Sequence, residues 1–185
     1  MVQVDYASSN AVISSNENKL KGIHEPSKNI AIWKRDTNDL QPFLHQLKDL
    51  ELECRSSGTK EEILVALENY FQHNIPRAKL LYQDISKLLT LFENLTEASS
   101  LRVLLTTVKT DMCRKFHTDV NDLRLLCTYL GPGTLWVPDA AIQEATTYPR
   151  KKRELQIDES KVQQVTTGDV VVLKGGLYPE ATPIL

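Results

Sequence analysis

Phe116-His117-Thr118-Asp119 sets an imidazole and a carboxylate two residues apart. On an extended backbone, residues i and i+2 project from one face, roughly 6.6 Å apart at about 3.3 Å per residue. Two such side chains can converge on one cation. They would supply two of the three protein ligands of a 2-His-1-carboxylate facial triad, the donor set of non-haem Fe(II) oxygenase sites. This reading requires both side chains to face the concave side of a β structure rather than open solvent. A plainer reading leaves His117 and Asp119 bonded to nearby backbone at a strand end.

The elements that must position this pair follow from local pattern. Leu123 to Leu130 is apolar on both faces, as an interior strand would be. Gly131-Pro132-Gly133 reads as a tight connection, with Thr134 to Val137 returning antiparallel. Leu101 to Val108 is β-branched and apolar, another strand. Val162 to Val165 and Val170 to Leu173 bracket Thr166-Thr167-Gly168-Asp169, which reads as a hairpin. Pro138 to Ser160 reads as a polar loop, with the basic run Arg150 to Arg153 as part of its solvated surface.

Upstream the period is helical. Asn29 to Arg35 reads as a short strand, with Ile30 and Ile32 on one face and Ala31 and Trp33 on the other. A first helix carries Leu40, Phe43, Leu44, Leu47 and Leu50, has Pro42 in its first turn, and is expected to end near Arg55 to Gly58. Thr59 and Glu62 form a capping-box pattern ahead of a second helix with Ile63, Leu64, Leu67 and Phe71. Pro76 opens a third, striped by Leu80, Leu81, Ile85, Leu88, Leu89 and Phe92. His45 and His73 on these helices read as surface or packing histidines. Met1 to Ser27 is polar and reads as a frayed tail; it has neither the basic start nor the apolar run of a signal peptide.

Composition excludes several classes. The chain has 185 residues, 41% hydrophobic and 25% charged, with a net charge of −2. No global basic field argues for nucleic acid, and the longest apolar runs are far too short to span a bilayer. No nucleophile elbow, Walker-type loop or Cys-x-x-Cys competes with the His-x-Asp unit. Cys54, Cys113 and Cys127 are odd in number and irregular in spacing. Reduced, packed thiols and a cytoplasmic location are the expectation.

The stretches CRKFHTD, RLLCTYLGPGTLWVPD and GDVVVLKG resemble the bacterial family catalogued as domain of unknown function 1826. The resemblance runs from about Asn29 to Tyr178. The family's strand order and His-x-Asp unit in turn resemble the double-stranded β-helix of 2-oxoglutarate oxygenases and cupins. What this implies is an α+β chain, N-terminal helices packed on an antiparallel β-sandwich or jelly-roll-like double-stranded β-helix. It implies His117 and Asp119 as metal ligands, Fe(II) and 2-oxoglutarate as cofactors of complete members, and Arg124, Thr128, Tyr129 and Lys174 as polar groups near the site, with Arg124, Tyr129 and Lys174 as cosubstrate contacts.

Family members continue past Leu-Lys-Gly to a His-Arg-Ser-Pro segment. Here Glu180 to Leu185 follows, and no histidine follows His117. The expectation is a β half that lacks its closing strands, since a full jelly roll has about eight strands and only five or six are visible. Residues 1–28 are then a tail and 29–185 one domain, helical over 29–98 and β over 99–185. The chain should bind metal poorly and be inactive as it stands. The alternatives are a non-catalytic domain binding a small molecule or protein, or a degenerate product. Self-association through an open sheet edge is the expected partner contact; no nucleic acid and no membrane are expected.

Overall fold

The computed structural model describes residues 10–109, 116–147 and 152–179. In chain order the elements are β1 (Ala11–Ser14), a 3-10 segment (Glu17–His24), β2 (Ile30–Trp33), α1 (Gln41–Leu44), β3 (Glu53–Gly58), α2 (Lys60–Asn74), α3 (Lys79–Thr96), β4 (Leu101–Thr106), β5 (Leu123–Cys127), β6 (Leu135–Trp136), β7 (Ile142–Thr147), β8 (Lys152–Ile157), β9 (Gln163–Gln164) and β10 (Val170–Lys174). The chain is thus a mixture of helices and several small sheets. It divides into two compact units: Met1–Asp36 with Lys115–Leu185, and the continuous Thr37–Arg114. No helix among the described residues is long and apolar enough to cross a membrane.

The discontinuous unit is built on a four-stranded sheet in the order β1-β2-β10-β5. β1 runs parallel to β2; β10 is antiparallel to both β2 and β5. β2 and β10 are central, and their residues Ile30 to Trp33 and Val170 to Val172 are all buried. That is why they read as unbroken apolar runs. One face carries Ile30, Ile32 and Val171, which cluster with Trp136 of β6 and Val165 beside β9. Each such side chain contributes about 1.5–3 kcal/mol on burial. The other face, with Val12, is met by the 3-10 segment, which buries Leu20 and Ile23 and comes close enough that a Cβ on Gly22 would lie 3.0 Å from Val12. Asn16 caps that segment by accepting from the Asn18 amide at 3.0 Å.

The continuous unit pairs α2 and α3 with the β3–β4 ribbon. Thr59 and Glu62 form the expected capping box: the Glu62 amide donates to the Thr59 hydroxyl and the Thr59 amide to the Glu62 carboxylate. α2 buries Ile63, Leu67 and Phe71, and α3 buries Leu81, Ile85, Leu88, Leu89 and Leu95. Leu80 is instead exposed, because α3 begins at Lys79 and its first turn turns that position outward. Lys60 ties the two helices together, donating to Glu93 at 2.7 Å.

Several expectations are corrected. The first helix is a single turn followed by the 3-10 turn His45–Leu47, and Arg55 to Gly58 is not its end but part of β3. β3 owes its extended form to antiparallel pairing with β4, which also places Leu101–Thr106 in the unit with the helices rather than in the β half. Residues 10–28 are not a frayed tail: β1 pairs with β2, and two apolar side chains anchor the 3-10 segment. Val162–Leu173 is not a hairpin, since β9 pairs with β6 while β10 pairs with β2 and β5. Thr134–Val137 therefore does not return against β5. Pro138–Ser160 is not a plain loop, for β7 and β8 form an antiparallel ribbon across it. Pro149, Arg150 and Lys151 lie outside the described residues, as do Cys113 and Glu180–Leu185.

Candidate functional site

The His-x-Asp unit leads into β5. Residues 116–119 form no strand, so strand alternation does not place the two side chains. The pair converges nonetheless: His117 Nε2 lies 3.6 Å from Asp119 Oδ1. The His117 side chain is 53% exposed and that of Asp119 17%. The imidazole therefore stands open to solvent rather than in a concave interior, which corrects the expected orientation. Arg124, one residue into β5, completes the group. Its Nη1 donates to both Asp119 oxygens, at 2.9 and 3.0 Å.

A turn from the end of β10 holds the loop in place. Gly175 N donates to Asp122 O at 2.8 Å, Gly176 N to Asp119 O at 2.8 Å and Leu177 N to Asn121 O at 3.1 Å. The approach is so close that a Cβ on Gly175 would fall 2.0 Å from Asn121 O, so only glycine fits. Asn121 Oδ1 is buried here without a hydrogen-bond partner, a cost of about 1–3 kcal/mol.

The sheet separates the expected cosubstrate contacts instead of gathering them. Arg124 is opposite Leu173 in the register and Lys174 opposite Leu123. Adjacent residues alternate faces, so Arg124 and Lys174 project from opposite sides. Lys174 is buried; its Nζ donates to Glu25 O at 2.7 Å and lies 4.8 Å from the Tyr178 ring centroid. Tyr129 sits past the other end of β5, roughly 15 Å along the chain direction from Arg124. Its ring is 6.0 Å from the Arg35 guanidinium. Thr128 offers its carbonyl to Gly168 N at 2.8 Å.

Arg35 and Asp169 make a second polar cluster that sequence reasoning missed. Arg35 Nε donates to Gly168 O at 2.6 Å, its Nη2 to Cys127 Sγ at 3.2 Å, and its amide to Asp169 Oδ1 at 3.0 Å. The guanidinium also lies 5.4 Å from the Trp33 ring. One arginine thus fastens the ends of β2, β5 and β10. Burial pushes the Asp169 carboxyl above its ordinary pKa, against the opposing pull of the Arg35 amide and of the Lys34 and Arg35 charges. The only signal in the sequence was the Gly168-Asp169 pair itself, read as a turn.

His24 and His73 have other partners. His24 Nδ1 hydrogen-bonds the Tyr178 hydroxyl at 2.7 Å, and His73 Nδ1 donates to Asn69 O at 2.7 Å. His45 is exposed. Among the described residues no group of three or more His, Cys, Asp or Glu side chains could hold a metal ion. Cys54 is buried, and that burial raises its thiol pKa, as a packing cysteine requires. Residues 14–183 match the family described as "Protein of unknown function (DUF1826)". No curated protein and no solved structure matches the chain.

Proposed function

Because the chain belongs to the DUF1826 family, whose description assigns no activity, we propose a function from the site itself. His117 and Asp119 form a two-ligand half-site for a divalent metal in an oxygenase-like domain. Arg124 holds that half-site shut, so the chain as it stands binds metal weakly and does not turn over as an oxygenase. The observation that carries this is the 3.6 Å between His117 Nε2 and Asp119 Oδ1, with Arg124 on the same carboxylate. Two ligands at about 2.0–2.2 Å from one ion, on adjacent coordination positions, lie roughly 3 Å apart. A few tenths of an ångström closes the gap.

The donor set fits a metal only in part. One imidazole and one carboxylate are the ligand types of an Fe(II) site, which when complete supplies dioxygen activation with 2-oxoglutarate. The third protein ligand is missing among the described residues, and the guanidinium opposes a second cation beside Asp119. The cosubstrate fits less well. Arg124 is engaged by Asp119, Lys174 by Glu25 and Tyr178, and Tyr129 by Arg35. The sheet β2-β10-β5, with β6 and β9 packed on one face, is read as the portion of a double-stranded β-helix that carries the pair.

The Asp119–Arg124 pair also favours the second reading, a non-catalytic binding domain in which these residues only order a loop. Titration with Fe(II) under anaerobic conditions, with and without 2-oxoglutarate, separates the two. Arg124→Gln should tighten ion binding about tenfold or more over the parent, by a margin comparable to other changes around metal ligands, and His117→Ala should abolish it in both backgrounds. Binding that is indifferent to His117→Ala, or no tighter in Arg124→Gln, leaves the loop-ordering reading in possession.

A further inference from the structure

We propose that Tyr178 is the positioning residue of the His-x-Asp loop, a latch that ties this loop on one side of the sheet to the 3-10 segment on the other. A turn follows β10. Tyr178 N donates back to Gly175 O at 3.2 Å, closing the turn, and the turn's amides then point at the loop. Gly175, Gly176 and Leu177 donate to Asp122, Asp119 and Asn121. The backbone of Asp119 is thus fixed by Gly176, independently of its carboxylate.

The grip needs an anchor, and the turn's own side chains offer little else. Gly175 and Gly176 have none, and Leu177 is 62% exposed. Tyr178 is half-buried and held at both ends. Its hydroxyl bonds His24 Nδ1 at 2.7 Å, and its ring lies under Lys174 Nζ at 4.8 Å. Lys174 is itself fixed by Glu25 O. His24 is the last residue of the 3-10 segment and Glu25 its C-cap, and Leu20 and Ile23 anchor that segment to the sheet. A rigid lever therefore runs from Leu20 and Ile23 through His24 and Tyr178 to the Gly175–Leu177 amides, and from these to Asp119. Releasing Tyr178 frees the turn to lift, and the carboxylate moves away from His117.

Hydrogen exchange on the full chain, read at 116–122 and 175–178, tests the latch without any metal. Tyr178→Phe keeps the ring and loses the hydroxyl; the Gly175–Leu177 amides should exchange about fivefold faster, as loss of one hydrogen bond permits. Tyr178→Ala should exceed that, while β2 and β10 amides stay protected. His24→Leu should match Tyr178→Phe, and His24→Asn, which restores a polar atom near the Nδ1 position, should return exchange toward the parent. Unchanged exchange at 175–177 in folded Tyr178→Ala or His24→Leu overturns the latch. Mn(II) affinity, measured on the same proteins, extends the proposal to the half-site on which that arm rests. It should fall in the same order as exchange rises, about tenfold for Tyr178→Ala. If the parent and Arg124→Gln bind no Mn(II), the half-site reading fails, and exchange alone still decides the latch.

Discussion

Arg124 and Lys174 stand on neighbouring strands and never share a face of the sheet. The register sets Arg124 across from Leu173 and Lys174 across from Leu123, and the pleat does the rest. Two basic residues that look in sequence like one anion clamp bond different partners on opposite faces. One neutralises Asp119 in partial solvent, and the other fastens a 3-10 segment to the sheet.

Opposite faces leave the two side chains linked only indirectly, through Tyr178 and the Gly175–Leu177 turn. Arg124→Gln removes a half-exposed ion pair and should cost under about 1 kcal/mol. Lys174→Met removes a buried charged donor from Glu25 O and should cost about 1.5–3 kcal/mol. Urea unfolding of both single variants and the double variant gives the coupling, which should stay within about 0.5 kcal/mol. A coupling well above that contradicts a weak, indirect link between the two side chains.

Asp169 should give the acid limb of stability an unusual sign. Its folded pKa lies above the ordinary 3.8 because burial disfavours the charged carboxylate. A raised folded pKa means that the folded state holds the proton more tightly, so this contribution is complete below the unfolded pKa and is lost as pH rises through the folded one. Asp169→Asn keeps an acceptor for the Arg35 amide and does not titrate. Its stability relative to the parent should therefore improve as pH rises from about 3.8 through the raised folded pKa, and level off above it. Denaturation curves at four or five pH values read this directly, and a constant difference across that range contradicts it.

Gly133→Ala should loosen the contact that brings Trp136 and Val165 together. A Cβ at this position would fall 2.0 Å from Val165 O. The same backbone is joined by Gln164 Nε2 donating to Gly133 O at 3.0 Å and Val165 N donating to Thr134 O at 2.9 Å. The added methyl must push these strands apart, costing about 1–3 kcal/mol, with a matching fall in Tm. Trp136 fluorescence should shift to the red as its cover opens. An unchanged Tm would mean that the strands yield at no cost.

What could be read from sequence was what local physics decides. The capping box at Thr59 and Glu62 and the stripe Ile63, Leu67 and Phe71 are set within a few residues, and both stand in the fold. The central strands were legible as strands, β2 from its two apolar faces and β10 as one side of an expected hairpin, but the partners of β10 were not. β3 did not, because Ser56 and Ser57 carry no strand signal and become extended only by pairing with Arg102 and Val103 far along the chain. The β7–β8 ribbon hid in polar composition for the same reason. At the site, His117 and Asp119 come within 3.6 Å without the strand that the i, i+2 spacing assumed, and the Arg124 contact depends on how the loop folds back. The Arg35–Asp169 cluster joins residues 134 apart, and no local pattern reports such a pair.

The interrupted course of the sheet also sets an order of events. Trp33 pairs with Val170, and the whole continuous unit from Thr37 to Arg114 lies between them in the chain. Closing so long a loop carries a large entropy penalty if the intervening chain is unfolded. Prior collapse of the intervening segment shortens the effective span, and α2, α3 and the β3–β4 ribbon make that segment a compact unit with its own buried side chains. The inserted unit is therefore the natural nucleus. β1 and β2, although synthesised first, remain without their central partner until β10 arrives. A newly made chain passes through a period in which Ile30 to Trp33 is an apolar strand with an unmet edge, a state that favours aggregation.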